Sequence, residues 1–98
     1  KSKQLRIASE NIIKEESLSN KKIEVISSDV VDDNSFSKII KIMIKMPTLA
    51  KGIKSIDKIK SNEYFWTTKD LKNIKDSDNF EILSNNEIFE PWKLLRKK

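Results

Sequence analysis

Two short apolar runs close to one another, Tyr64-Phe65-Trp66 and Phe80-Glu81-Ile82-Leu83, restrict this chain more than any other feature. The first closes on Thr67-Thr68 and the second on Ser84. Between them Lys69-Asp70-Leu71-Lys72-Asn73-Ile74 has helix character, with Thr67-x-x-Asp70 as a capping pattern at its start. Strand, short helix, strand is the unit of a parallel sheet, because parallel strands need a crossover that a tight hairpin cannot supply. The same arrangement puts a helix N-terminus, carrying Lys69, at the carboxyl end of a strand. Open α/β sheets bind anionic ligands at such places.

The rest of the chain fits one α/β domain of 98 residues. Leu5, Ala8 and Ile12, with Ile13 beside them, form a stripe that predicts a helix over 3–17. Glu15 and Glu16 oppose the dipole at its end. Ile23-Glu24-Val25-Ile26 reads as a strand ending at Ser27-Ser28. The acidic, turn-rich segment 29–35 leads into the clearest helix, 36–46. Its expected buried face is Phe36, Ile39, Ile40 and Met43, widened by Ile42, Ile44 and Met46, with Lys38, Lys41 and Lys45 opposite. Pro47 stops it. Residues 49–59 are ambiguous. Ile53, Ile56 and Ile59 suit a helix, but a sheet of four strands needs a strand here, and one beginning near Gly52 is expected. Asn85-Asn86 then caps a last amphipathic helix carrying Ile88, Phe89, Trp92 and Leu95, with Pro91 in its first turns. No internal repeat or linker divides the chain.

Composition excludes several chemistries. Cysteine and histidine are both absent. That removes disulfides, thiolate catalysis, Cys-based metal sites, the usual general base and the commonest neutral metal ligand. No apolar run approaches the ~20 residues of a membrane span. Asp29, Asp32 and Asp33 form the best carboxylate cluster, but they lack calcium-loop spacing and its glycine. They read as helix N-terminal charge, so no metal or other cofactor is expected. No nucleophile–base pair or phosphate-cradling glycine loop stands out, and an enzyme is not expected. The net charge of +5 favours acidic partners. The lysines are spread among carboxylates, and the one dense block is Lys93, Arg96, Lys97 and Lys98. The chain opens on lysine rather than methionine and reads as an excised domain or processed product.

The expected order is helix, strand, helix, strand, strand, helix, strand, helix. Without the first helix it resembles a BRCT domain, a small parallel four-stranded sheet flanked by helices. Residues 1–20 would be the extra N-terminal helix and connection of a helix-extended form, and 21–98 the core. Residues 23–28 match the family's first strand and its small hydroxyl residue. Phe36 to Met46 match the long first helix, and Ala50-Lys51-Gly52 falls where a glycine pair precedes the second strand. Glu63 to Thr68 resemble the third strand and Phe80 to Ser84 the fourth. Only one of the two glycines is present, and Trp92 comes a turn later than the tryptophan usual in the last helix.

The resemblance implies a non-enzymatic protein-interaction module that binds a phosphorylated or acidic peptide in a nuclear, chromatin or DNA-repair setting. Phosphate-binding members use a serine or threonine after strand one and a lysine opening helix two. These fall here on Ser27 or Ser28 and on Lys69, with Thr67 and Thr68 nearby. A phosphate needs such donors: a hydroxyl, an ammonium and free N–H groups at a helix start. Trp92, Lys93 and Arg96 are a candidate partner surface, with a helix-anchoring role as the plain alternative for Trp92. An alternative function is a basic nucleic-acid-binding domain that contacts the phosphate backbone. It would make 48–60 helical and bring the lysine faces onto one surface. A third class is an oligomerisation domain that uses the N-terminal helix as its contact.

Overall fold

The computed structural model describes residues 2–26, 32–45, 49–51, 55–84 and 86–98. In chain order the elements are α1 (Ser2–Glu15), β1 (Ile23–Ile26), α2 (Asp33–Lys45), β2 (Leu49–Lys51), β3 (Tyr64–Thr67), β4 (Phe80–Ile82) and β5 (Lys93–Lys97). The strands form one five-stranded sheet in the order β2-β1-β3-β5-β4. β1 pairs in parallel with β2 and with β3, while β5 runs antiparallel to both β3 and β4. The fold is therefore a small α/β domain with a mixed sheet and two α-helices, not the all-parallel four-stranded sheet expected.

α1 forms as its stripe predicts, with Leu5, Ala8 and Ile12 all buried. Ser9 fits the buried face because its hydroxyl donates to the Leu5 carbonyl at 2.8 Å, one turn back. Its C-terminus closes on Ser17 in the left-handed region, φ 53°. The Leu18 N–H reaches the Ile13 carbonyl at 2.9 Å and the Ser17 N–H the Lys14 carbonyl at 3.3 Å. This pair of bonds is a Schellman closure, with buried Leu18 as its apolar contact. The helix is part of the core rather than an appendage.

α2 is the crossover that lets β1 and β2 run parallel. Asp32 caps it: one carboxylate oxygen accepts from the Ser35 N–H at 2.7 Å. Its buried side differs from expectation. Ser35, Ile39 and Ile42 face inward, whereas Phe36, Ile40 and Ile44 are 58%, 43% and 60% exposed. The apolar residues of α2 cover roughly half its circumference, so periodicity located the helix without choosing its inner half. Met46 lies outside the described residues. The strand expected near Gly52 occurs slightly earlier, at Leu49–Lys51; Gly52 and Ile53 also lie outside.

The two opening runs become β3 and β4, but no α-helix joins them. The connection holds two one-turn 3-10 segments, Leu71–Asn73 and Ser77–Asn79. One 3-10 turn brings Leu71 and Ile74 onto the same side, and six residues cannot meet the nucleation cost of a helix. β3 and β4 do point the same way, but β5 lies between them. The last helix is corrected too: Glu87–Phe89 is a 3-10 turn and Lys93–Lys97 is a strand. Pro91 lacks the N–H that a helix through 88–95 would use. Leu94 and Leu95, both fully buried, belong to opposite faces of the sheet.

Each face has its own core. Trp66, Ile23 and Leu94 pack with both helices, Phe89 and Trp92. Phe65 and Leu95 pack with Ile59 and Ile74, under the 3-10 segments. Aromatic contacts support each side: Trp66 lies 5.3 Å from Phe89, and Phe65 meets Phe80 edge-on at 5.6 Å. Phe65 and Trp66 are thus both buried, on opposite faces, and both α-helices lie on the Trp66 side. The resemblance implied helices on both faces.

Candidate functional site at the carboxyl end of the parallel strands

The β1–β3 register sets Ile26 beside Thr67, so these strands share a carboxyl end. The antiparallel β3–β5 register sets Lys93 across from Thr67, on the same face. Three strands thereby bring Thr67, Thr68, Lys69 and Lys93 to one end of the sheet. Ser27 and Ser28 follow Ile26 in sequence and lie outside the described residues. The juxtaposition of Lys93 with the threonines was not legible in sequence, because it depends on β5 being a strand inserted beside β3.

The hydroxyls and cations play different parts. Thr67 is fully buried, and its Oγ1 accepts from the Lys69 N–H at 3.1 Å. The capping pattern Thr67-x-x-Asp70 therefore closes a local turn two residues on, not a helix. Thr68 is half-buried and Lys69 exposed. Lys69 does not open a helix; Leu71–Asn73 is a single 3-10 turn, so no helix dipole adds to its charge. Lys93 is half-buried, with Nζ donating to the Pro91 carbonyl at 3.5 Å, a long and weak contact. What this end offers an anion is two ammonium groups from two different segments, beside a polar strand end.

α2 supplies the one long helix N-terminus here, but Asp32 already occupies it. The Ser35 backbone N–H, then the Ser35 side chain, hold the Asp32 carboxyl below its ordinary value. A bound anion would meet that carboxylate at this helix start. A cleft of about 270 Å³ lies between the first turns of α2 and the Glu90–Pro91 turn, lined by Asp32, Asn34, Ser35, Lys38, Glu90 and Pro91. Lys38 Nζ donates to the Glu90 carbonyl across it. Its mixed charge suits it to fixing the turn before Lys93 rather than to holding an anion.

The other three-residue candidate surface is divided by the strand. Trp92 is 2% exposed, and its Nε1 donates to the Ser35 carbonyl at 2.8 Å, tying the start of β5 to the first turn of α2. It is an anchor and leaves no ring face for a partner. Lys93 and Arg96 lie on opposite faces of β5. Arg96 is engaged near the far end: Nη2 and Nε donate to Glu81 at 2.8 and 3.1 Å, and Nη1 to Asn62 at 2.8 Å. These bonds clamp β4 to β5 and to the turn before β3.

Among the described residues no group of three or more acidic side chains is placed to hold a metal ion. Nor is any helix long and apolar enough to cross a membrane. Within 48–60, where a phosphate-backbone binder would need a helix, the described residues form β2 and a 3-10 turn at Ile56–Lys58. No protein-family model, curated protein or solved structure matches the chain.

Proposed function

We propose that the protein is a non-enzymatic interaction domain that takes an acidic or phosphorylated peptide of a partner protein at the carboxyl end of β1 and β3. The observation that carries this reading is the pair of registers that sets Lys93 across from Thr67 and next to Thr68-Lys69. An acidic segment crossing this end would meet the Lys69 and Lys93 ammonium groups in succession, each a flexible donor for carboxylate or phosphate oxygens. The net charge of +5 would speed its arrival. Ser27 and Ser28 remain the candidate hydroxyl donors. The setting, by the resemblance, would be nuclear, in chromatin or DNA repair.

The test is binding of fluorescent acidic peptides, phosphorylated and unphosphorylated, to the wild type and to Lys69→Ala and Lys93→Ala. Each substitution removes one charge-assisted contact and is expected to weaken binding about 3- to 30-fold, with no change in thermal midpoint beyond about 1 °C. Equal affinity in both variants would remove this site. Capture of DNA of any sequence, falling steeply with salt and without peptide selectivity, would replace the reading with backbone binding.

A further inference from the structure

The residues of α2 that line its groove with α1 are all polar. Asn34, Ser37, Lys38 and Lys41 stand at i, i+3, i+4 and i+7, on one face of the helix. With Gln4 and Leu5 of α1 and with Ile88 they enclose a groove of about 410 Å³. Phe36, Ile40 and Ile44, on the other flank of α2, are 58%, 43% and 60% exposed. Packing alone would favour the reverse, with apolar residues toward the neighbouring helix and lysines toward water. Both groove lysines are half-buried, and neither is in an ion pair among the described residues.

We propose that this groove is a binding site for a small phosphate monoester, whose phosphate dianion lies between Lys38 and Lys41. Two ammonium groups about one helical turn apart on one face can both reach a single group set between them. Lys38 Nζ donates to the Glu90 carbonyl, which uses one of its three protons and fixes its position. The Ser37 hydroxyl and the Asn34 and Gln4 amides supply uncharged donors beside the lysines. No carboxylate lines the groove, and the first turn of α1 carries no acidic residue. Asp32 and Glu87 line neighbouring clefts instead.

Size and charge set the ligand class. Small-molecule pockets hold about 300–1,000 Å³, so the groove takes a phosphate together with a small organic part, which Leu5 and Ile88 would flank. Two lysines match the nearly two negative charges of a monoester at neutral pH, whereas a phosphodiester carries one. The groove lies on the helix side of the sheet. Thr67 and Lys93 belong to the Phe65 face, so this site is separate from the peptide site and does not depend on it.

A ¹H–¹⁵N titration of the chain with methyl phosphate and with dimethyl phosphate, at constant ionic strength, tests this. The monoester should give saturable shifts at Gln4, Asn34, Ser37, Lys38 and Lys41, with a dissociation constant on the order of 1 mM. The diester should bind at least about tenfold more weakly. Lys41→Gln, which keeps most of the stem and removes the charge, should raise the monoester constant about tenfold or more, and Ser37→Ala about threefold. Lys72→Ala, at an exposed position outside the groove, should leave it unchanged. Shifts that do not saturate, that persist undiminished in Lys41→Gln, or that Lys72→Ala weakens equally would overturn the proposal. So would a diester that binds as tightly as the monoester. Saturable shifts confined to Thr68, Lys69 and Lys93 would overturn it while leaving the peptide site standing.

Discussion

Ile42→Ala and Ile40→Ala, two residues apart on α2, are expected to differ severalfold in their effect on stability. Ile42 is fully buried between the helix and the sheet, so removing three carbons leaves a cavity lined by the Trp66-side core. Buried isoleucine-to-alanine changes cost about 2–5 kcal/mol, which is a large part of the roughly 5–15 kcal/mol holding a domain this size. Ile40 is 43% exposed, so the same change forfeits only part of the burial energy, about 1 kcal/mol. Alanine's better helix propensity returns roughly 0.4 kcal/mol, leaving a net loss near 0.5 kcal/mol. Urea unfolding followed by the fluorescence of Trp66 and Trp92, both buried, reads the difference directly. Ile42→Ala should lower the midpoint strongly and Ile40→Ala barely. Equal losses, or a larger loss at Ile40, would refute the orientation of α2.

Other consequences follow from single contacts. Ser17→Gly should raise stability by about 0.5–1 kcal/mol in the same assay, because Ser17 holds φ 53° where a side chain is strained and glycine is not. Trp92→Phe removes the donor to the Ser35 carbonyl and should cost about 1–3 kcal/mol, with the largest loss of hydrogen-exchange protection at the start of α2 and β5. Asp32 has a lowered folded-state pKa, so its contribution is fully present above the ordinary carboxylate value of about 4 and is lost as pH falls through the lower folded value. Asp32→Asn should therefore flatten the slope of stability against pH below about pH 4, measured by urea midpoints across that range. Arg96→Ala should free β4, visible as faster amide exchange at Glu81 and Leu83, whose N–H groups face β5, with the α1 amides unaffected.

How far the fold was legible depends on how many arrangements each pattern allows. α1 has one narrow stripe, Leu5-Ala8-Ile12, and its location and buried face both follow from spacing. α2 has a wide apolar arc, so spacing fixes its location but leaves the choice of inner face to the sheet. Ile88, Phe89, Trp92 and Leu95 match a helical period, yet the neighbouring pair Leu94-Leu95 fits a strand buried on both faces, and Pro91 disfavours the helix. Once β5 is a strand, the strand–helix–strand unit changes as well, because β5 takes the position beside β3 that β4 was expected to hold. The site shows the same division. Thr67, Thr68 and Lys69 stand at a strand end as their residues suggest. The helix meant to assist Lys69 is a single turn, and Lys93 comes to that end through a long-range pairing that no local pattern encodes.

The most direct test of the proposed peptide site is a two-dimensional ¹H–¹⁵N titration of the chain with one acidic peptide in phosphorylated and unphosphorylated forms. Saturable shifts centred on Thr67, Thr68, Lys69 and Lys93, larger with the phosphorylated form, are the expected result. Shifts confined to other surfaces, or none at saturating peptide, would contradict a binding site at the carboxyl end of β1 and β3.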